Sequence, residues 1–131
     1  MSPSEKAKFI SSWIKDYVNN MPSKAESLVI GISGGIDSSV SSTLSAMTGI
    51  KTIVLSMPIK QKSQQYDLSL KHQEWLVKKF DNVEDDTINL DELFNAFNSS
   101  LSKFDNEHGM ANSRARLRMT TLYQVAAANK G

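Results

Sequence analysis

Two segments of the chain bring together residue types that bind anions. The first occupies residues 33–39 and reads Ser33-Gly34-Gly35-Ile36-Asp37-Ser38-Ser39. Gly34 and Gly35 can adopt positive φ without a Cβ penalty, so their N–H groups can form a concave nest for an anion. The hydroxyl groups of Ser33, Ser38 and Ser39 can donate hydrogen bonds to phosphate oxygens. A helix that begins near Asp37 would point the positive end of its dipole at the same place, which completes a predicted phosphate-binding loop.

Asp37 is an unusual neighbour for a phosphate because both groups are anionic. A Mg²⁺ ion bound by Asp37 and by a phosphate oxygen would resolve that conflict, so Asp37 is a predicted metal ligand. The segment has neither the Gly-Lys-Ser/Thr of a Walker A loop nor the Gly-x-Gly-x-x-Gly dinucleotide fingerprint. The alternative interpretation is an ordinary Gly-Gly turn between a strand and a helix, in which the aspartate and serines serve as helix caps.

The second segment is rich in arginine and reads Asn112-Ser113-Arg114-Ala115-Arg116-Leu117-Arg118-Met119. Arginine is a planar, permanently charged donor that suits phosphate and carboxylate groups. Arginines clustered near a helix start oppose the helix dipole, which favours an anionic partner for the segment. On a helix, Arg114 and Arg118 share one face while Arg116 points elsewhere. The alternative is a solvated helix with surface arginines.

Hydrophobic periodicity predicts the elements that would position these segments. Apolar runs predict strands at residues 27–32 and 50–57, and a third strand at residues 82–89 is supported only by Val83, Thr87 and Ile88. Helical spacing predicts a first helix that begins near Ser2 and ends at Met21-Pro22. Further helices are predicted at residues 38–47, 63–80, 90–104 and 111–129, with a turn at 105–109. The phosphate-binding loop would then join the first strand to the second helix.

The alternation of helices and strands favours an α/β fold, with a parallel sheet in a doubly wound, Rossmann-like arrangement. The 131 residues suit one domain with one core. A doubly wound fold would continue with another strand after the last helix, where the chain has only Asn129-Lys130-Gly131. We therefore expect a single domain over residues 1–131, truncated after the third strand and its following helices. Such a truncation would expose an edge of the first strand, so we expect dimerisation, element swapping or aggregation.

Composition limits the classes of partner. The net charge is +1 and there is no cysteine, so we expect no nucleic-acid partner, no disulfide framework and no thiolate zinc site. No apolar run approaches the ~20 residues that a membrane helix needs, and no apolar signal core follows Met1, so we expect a cytoplasmic protein without a membrane partner. We expect His72 and His108 at the surface, and the acidic residues 84–86 at a solvated strand edge.

Both motifs carry a resemblance to known proteins. Ser-Gly-Gly-x-Asp-Ser after an apolar strand resembles the signature of the N-type ATP pyrophosphatases. The second segment resembles the Asn-x-x-Ala-Arg-x-Arg-Met motif of the ammonia-dependent NAD synthetases. The resemblance runs from about Trp13 to Gly131 and covers only the first half of the family's chain. It implies an adenine nucleotide alpha hydrolase-like fold, ATP and Mg²⁺ as cofactors, and a loop at residues 33–39 that binds the pyrophosphate of ATP.

The resemblance also implies roles for individual side chains. Asn112 and Arg116 would bind the substrate deamido-NAD, with Arg118 as a nearby support. Tyr17 falls near a family tyrosine that touches the dinucleotide across a dimer interface. A core or interface aromatic residue is the competing interpretation of Tyr17.

The loop after the second strand departs from the family pattern. Met57-Pro58 matches the Leu-Pro pair that ends this strand in the family, and a glutamine near ATP follows it there. Gln61, Gln64 and Gln65 compete for that role, and we favour Gln64 at the start of the helix. Some members have an arginine just before the Leu-Pro pair, where this chain has Ser56.

The implied reaction makes NAD in two steps, with deamido-NAD, ATP and ammonia as substrates. The nicotinate carboxylate of deamido-NAD attacks the α-phosphate of ATP and releases pyrophosphate, and ammonia then displaces AMP. The short stretch before Ser33 leaves no room for a glutaminase domain on this chain, which favours free ammonia as the nitrogen donor. The family also implies a homodimer.

Two rival functions stay open. The family continues with a Gly-Thr strand end, a second metal-binding glutamate and a Thr-Lys-x-Gly-Asp segment, and this chain contains none of them. An inactive nucleotide-binding or dimerisation module is therefore one rival. The other is a different N-type ATP pyrophosphatase, such as a tRNA-modifying enzyme. A basic surface or a cysteine pair would be expected of that rival, and the net charge of +1 and the absence of cysteine disfavour it.

Overall fold

The computed structural model describes residues 1–59 and 63–131 of the chain. Helices and strands alternate through these ranges. In chain order they are α1 (Pro3–Asn19), β1 (Ser27–Ile32), α2 (Ile36–Ala46), β2 (Lys51–Ser56), α3 (Ser63–Lys79), β3 (Val83–Thr87), α4 (Asp91–Ser100), a short 3-10 helix (Ser102–Phe104) and α5 (Glu107–Ala128).

The strands form one parallel sheet in the order β1-β2-β3. Ile53 of β2 pairs with Val29 of β1 on one side and with Glu84 of β3 on the other. Parallel neighbours need crossover connections, and α2 and α3 provide them. The predicted α/β, Rossmann-like class with a parallel sheet is confirmed. β1 forms one edge of this sheet, and no strand in the described ranges pairs with its outer side.

Two apolar layers cover the central strand β2, whose residues after Lys51 are all buried. Side chains of a strand alternate between faces, so β2 contributes to both layers. One layer joins Ile53 and Leu55 to Leu90 and Phe94, with α5 packed against it. The other joins Val54 to the α2 and α3 face through residues that include Ala46 and Leu76. The central strand β2 is thus covered on both faces, and β1 and β3 form the two edges of the sheet. Burial of the central strand is usual in parallel sheets.

Capping explains where the helices begin. Ser2 caps α1, because its Oγ accepts from the Glu5 N–H at 3.1 Å while the Glu5 carboxylate accepts from the Ser2 N–H at 3.3 Å. The Asn106 side chain accepts from the Gly109 N–H at 3.0 Å and starts α5. The predicted turn at 105–109 is therefore wrong from Glu107 onward, where the chain is already helical. The helix predicted to end at residue 104 stops at Ser100, and a 3-10 turn follows.

The two histidines differ in their surroundings. His108 is exposed, as predicted. The surface prediction for His72 is wrong, because this half-buried side chain bridges α3 and α2. Its Nε2 lies 2.9 Å from Ser42 Oγ, and its ring stacks on Trp75. His72 lies on the side of α3 that meets α2. This is a tertiary contact, which the local sequence pattern of α3 does not reveal.

The acidic residues 84–86 are exposed on β3, as predicted for a solvated strand. Glu84 pairs with Lys51 across the sheet at 3.7 Å. None of the helices in the described ranges is both long and apolar enough to cross a membrane.

Candidate functional site

The predicted phosphate-binding loop connects β1 to α2 at the carboxyl end of the strand. Gly34 has φ of 90°, and a Cβ at this position would collide with the carbonyl oxygen of Gln65. Only glycine therefore fits there. Gly35 has φ of −89° and ψ of 168°, an extended conformation in which it caps α2. The expectation of positive φ is confirmed at Gly34 and wrong at Gly35, which serves as the helix cap instead.

The serine hydroxyls hold the loop against the first turn of α2. Ser38 Oγ accepts from the Ser33 N–H at 3.1 Å and lies 3.0 Å from Ser33 Oγ. Ser39 Oγ donates to the Gly35 carbonyl at 2.9 Å. The Gly35 N–H donates to Ser33 Oγ at 3.2 Å. The hydroxyls expected to donate to phosphate thus organise the loop itself in this structure.

Asp37 is exposed in the first turn of α2. In the described part of the chain no three histidine, aspartate or glutamate side chains are grouped so that they could hold a metal ion. A carboxylate alone next to a phosphate site fits Mg²⁺, which commonly binds through one or two carboxylates plus substrate phosphates and water. It does not fit a closed metal cage made of protein ligands alone.

A cavity of about 730 Å³ opens beside the loop. Its walls come from the carboxyl ends of β1 and β2, the first turn of α3 and the middle of α5. The lining residues are Gly31, Ile32, Ser33, Gly35, Met57, Ile59, Gln65, Arg114, Arg118 and Leu122. Two arginines and no carboxylate belong to this described lining, so the cavity is suited to an anion. Ligand sites of parallel α/β sheets lie at this same end of the strands.

Arg118 is fixed in the cavity wall by its contact with the residue that follows β2. Its Nε donates to the Met57 carbonyl at 3.0 Å. Burial lowers the pKa of the Arg118 guanidinium, and the positive charge of Arg114 lowers it further. The ordinary pKa of an arginine lies so far above neutrality that Arg118 keeps its charge at neutral pH. Its remaining N–H donors provide a preorganised positive group opposite the loop.

The structure separates the residues of the arginine-rich segment. Arg114 and Arg118 lie on the cavity side of α5, whereas Asn112 and Arg116 are exposed and do not line the cavity. The helical spacing explains the split, because positions four apart share a face and Arg116 lies between them. The predicted supporting residue Arg118 is therefore nearer the loop than the predicted substrate ligands Asn112 and Arg116.

Tyr17 lies away from the loop, on a second, largely apolar cavity of about 450 Å³. This cavity runs along the outer edge of β1 between α1 and α5, and Met119, Leu122 and Tyr123 also line it. Tyr17 is 61% exposed and stacks on Trp13 with ring centroids 5.4 Å apart. The structure does not bring Tyr17 to the phosphate loop.

The three glutamine candidates have different outcomes. Gln64 is exposed and does not line the cavity, whereas Gln65 lines it and its backbone abuts Gly34. Gln61 lies outside the described residues. The predicted helix start near Ser63 was right, but the sequence does not show which glutamine of the first turn faces the sheet.

The sequence motifs did not single out Arg114 as a ligand, and among the competing glutamines we favoured Gln64 over Gln65, yet both Arg114 and Gln65 line the cavity. For Arg114 a signal existed, since it stands four residues before Arg118 on the same helical face. Gln65 was already one of the three glutamines that compete for the role near ATP, one residue after the favoured Gln64.

Comparisons with known proteins agree with this geometry. The model of the NAD synthase family matches residues 7–131. An NH(3)-dependent NAD(+) synthetase of Sulfurisphaera tokodaii is 35% identical over 121 residues, covering 90% of this chain and 40% of the relative. An NH(3)-dependent NAD(+) synthetase of Mesoplasma florum is 36% identical over 126 residues, covering 92% of this chain and 48% of the relative.

Solved structures show the same similarity. An NMN synthetase from Francisella tularensis superposes with a TM-score of 0.88 at 35% identity, covering 99% of this chain and 52% of that one. An NH3-dependent NAD synthetase from Campylobacter jejuni, in complex with the nitrate ion, has a TM-score of 0.83 at 27% identity, covering 100% of this chain and 55% of that one. The chain spans about half the length of the relatives it matches. From its loop, its fold and the match over residues 7–131, the chain belongs to the NAD synthase family.

Proposed function

We propose that this chain forms the ATP-binding part of an ammonia-dependent NAD synthetase, which amidates deamido-NAD to NAD. The observation that carries the proposal is the glycine-serine loop opening onto a cavity lined by two arginines and, in the described lining, no carboxylate. The names of the relatives support the substrate assignment.

ATP would bind with its phosphates at the loop. Gly34 lets the backbone approach the ligand closely, and the start of α2 directs N–H groups and a positive dipole end toward it. Arg118 adds a fixed positive charge from the opposite wall. Asp37 would hold Mg²⁺, and a divalent cation bound there would supply positive charge that offsets the negative charge of the phosphates.

In the first proposed step, a carboxylate oxygen of the nicotinate ring attacks the α-phosphorus of ATP. The bond from that phosphorus to the bridging oxygen breaks, and pyrophosphate leaves with the electron pair. Ammonia then attacks the carbonyl carbon of the acyl-adenylate, AMP leaves, and the nitrogen loses a proton to solvent. In this scheme the chain's own groups bind and orient the phosphates, with charge stabilisation as the catalytic contribution.

Deamido-NAD would bind through exposed residues, with Asn112 and Arg116 as ligands and Tyr17 as a stacking surface. These side chains face outward from α5 and α1. Their exposure supports a homodimer, in which a second copy would cover them and complete the dinucleotide site. An apolar face rich in aromatic residues favours such association.

A second candidate function is amidation of the mononucleotide instead of the dinucleotide. It is favoured by the similarity to an NMN synthetase, at 35% identity and a TM-score of 0.88. The two candidates share the ATP site and differ only in the nucleotide that carries the nicotinate carboxylate. Parallel assays with deamido-NAD and with nicotinate mononucleotide separate them.

The test of the proposed function is NAD formation by the purified protein from deamido-NAD, ATP, Mg²⁺ and ammonia, beside an Asp37→Ala variant. Turnover that Asp37→Ala abolishes supports the synthetase. Binding of ATP without turnover would favour the rival, an inactive nucleotide-binding module. Absence of both turnover and ATP binding would contradict the proposed role.

A further inference from the structure

Arg114 lines the cavity beside the loop, and in the described ranges no carboxylate forms an ion pair with it. It lines the same wall as Arg118, one helical turn earlier on α5. The ion pairs found in the described ranges join Lys51 to Glu84 and Lys130 to Glu26, so neither cavity arginine is paired with a carboxylate there.

The side chain of Arg114 is also held in place. Its guanidinium carbon lies 5.5 Å from the centre of the Phe94 ring, and Phe94 is only 1% exposed. A guanidinium over an aromatic face gains cation–π attraction and keeps its edge N–H donors available. Arg114 is half-buried, whereas its neighbour Arg116 is exposed. A surface arginine without a role would more commonly extend into water, as Arg116 does.

Two guanidinium groups in one cavity wall repel each other. Each of them is restrained, Arg118 by the Met57 carbonyl and Arg114 by the Phe94 ring, so they cannot separate freely. The repulsion is relieved when an anion lies between them and the loop. An anion with several charges relieves it more than one with a single charge.

We propose that Arg114 is a second anion-binding arginine of this cavity, which contacts the polyphosphate of the bound nucleotide and selects for a highly charged ligand. The proposal rests on the proposed function for the identity of the ligand as a nucleotide polyphosphate. Arg114 and Arg118 would grip the polyphosphate from α5 while the loop binds it from the strand side. Arginine suits this role because its fork of donors can pair with two phosphate oxygens.

The test is isothermal titration of the purified protein with inorganic pyrophosphate and, separately, with inorganic phosphate, in the presence of Mg²⁺. Arg114→Gln should weaken pyrophosphate binding about tenfold or more, since hydrogen bonds to charged groups carry this much. The loss should be smaller for phosphate. Arg114→Lys should lie between, because an ammonium keeps the charge without the planar fork. Lys103→Gln removes the same charge from an exposed position and should leave both affinities unchanged.

Thermal unfolding separates this role from a structural one. In Arg114→Gln the rise in melting temperature caused by pyrophosphate should shrink, because that rise measures binding to the folded state. A merely structural arginine would lower the melting temperature of the ligand-free protein and leave the rise intact. That result overturns the proposal, as does pyrophosphate affinity within twofold of wild type in Arg114→Gln. Absence of measurable pyrophosphate binding by the wild type also overturns it.

The outcome is distinguishable from failure of the proposed function. If the wild type makes no NAD but pyrophosphate binding depends on Arg114, the function fails and the arginine assignment stands. If Arg114→Gln makes NAD with an unchanged dependence on ATP concentration, the arginine assignment fails and the function stands.

Discussion

Among the single residues of the site, Gly34 determines how closely a ligand can approach the loop. Its φ of 90° and the nearby Gln65 carbonyl leave no place for a side chain. A nest of N–H groups for an anion would depend on this conformation, since an L-residue would shift the backbone. Close approach of a ligand to the loop therefore depends more on Gly34 than on the serines around it.

Gly34→Ala tests this dependence. The substitution should abolish pyrophosphate binding and lower stability by more than the ~1–2 kcal/mol of left-handed strain, because the new methyl group also collides with Gln65. Gly49→Ala is the matched control, since Gly49 has φ of 78° but nothing within 4 Å of a built Cβ. Gly49→Ala should lower stability only by the left-handed backbone strain, and it should retain pyrophosphate binding. Calorimetry and denaturant unfolding measure both, and equal binding by the two variants would contradict the role of Gly34.

His72 gives the fold a dependence on pH. Burial lowers the pKa of His72, and a hydrogen bond involving the Ser39 backbone opposes this in part. As pH falls, the unfolded chain takes up the proton before the folded chain does. The stabilising contribution is therefore complete above a pH of about 6.5, the ordinary histidine value, and is lost as pH falls through the lower folded pKa.

The His72→Gln variant should therefore lose less of its free energy of unfolding than the wild type does as the pH falls from 7.5 to acidic values. Denaturant unfolding over a series of pH values measures this slope. His108→Gln, at an exposed position, is the control and should keep the wild-type slope. If both variants follow the wild type, the contact between His72 and Ser42 does not govern acid stability.

At the scale of elements, the position of α3 decides where Gln65 and the cavity wall lie. Gln73 is 1% exposed, and its side-chain amide donates to the carbonyls of Val54 and Asp86, each at 3.0 Å. These bonds fasten the middle of α3 to β2 and β3. The first turn of α3, with Gln65, is thereby held beside the loop.

Gln73→Met should destabilise the protein by about 1–3 kcal/mol, because it removes the side-chain donor of the buried hydrogen bond to the Val54 carbonyl and of the half-buried one to the Asp86 carbonyl. Gln124→Met, at an exposed position of α5, is the matched control and should change stability little. Chemical denaturation of the two variants gives the comparison. Equal stability would mean that α3 is held by its apolar contacts alone.

The elements themselves could be predicted largely from the sequence. The apolar run at 27–32 indicates a strand, and the helical spacing of the small residues after it indicates a helix. The sequence therefore predicts β1, the loop and α2 in their correct order. Element ends were less certain, since the start of α5 depends on the Asn106 cap, and the pattern from 105 to 109 resembles a turn. The loop could be located because its residue types are unusual, but the direction of each side chain on α5 required the helix phase and the packing partner. The helix phase separates Arg114 and Arg118 from Arg116, but it does not show which of these two faces meets the cavity.

At the scale of the whole molecule, one face stays open. The outer edge of β1 and the adjoining sides of α1 and α5 expose Trp13 at 59%, Tyr17 at 61% and Tyr123 at 71%. Exposed aromatic residues beside an unpaired strand edge are typical of an association surface. The predicted phosphate-binding loop lies at the end of the same strand, so association and ligand binding are expected to be linked.

We predict that the protein self-associates through this face. Sedimentation velocity over a range of concentrations should show a dimer or larger species. Trp13→Glu, which places a charge in the face, should shift the population toward monomer. Lys8→Glu, at an exposed position of the same helix, is the control and should not. A monodisperse, high-melting monomer for the wild type would contradict this prediction.

In the proposed function, the loop and Asp37 bind ATP together with Mg²⁺. Isothermal titration with ATP, with and without Mg²⁺, in the wild type and in Asp37→Ala tests it most directly. We predict that Mg²⁺ strengthens ATP binding by the wild type and that Asp37→Ala removes this gain while the fold is retained. ATP binding that is unaffected by Mg²⁺, or that Asp37→Ala leaves unchanged, would contradict the account.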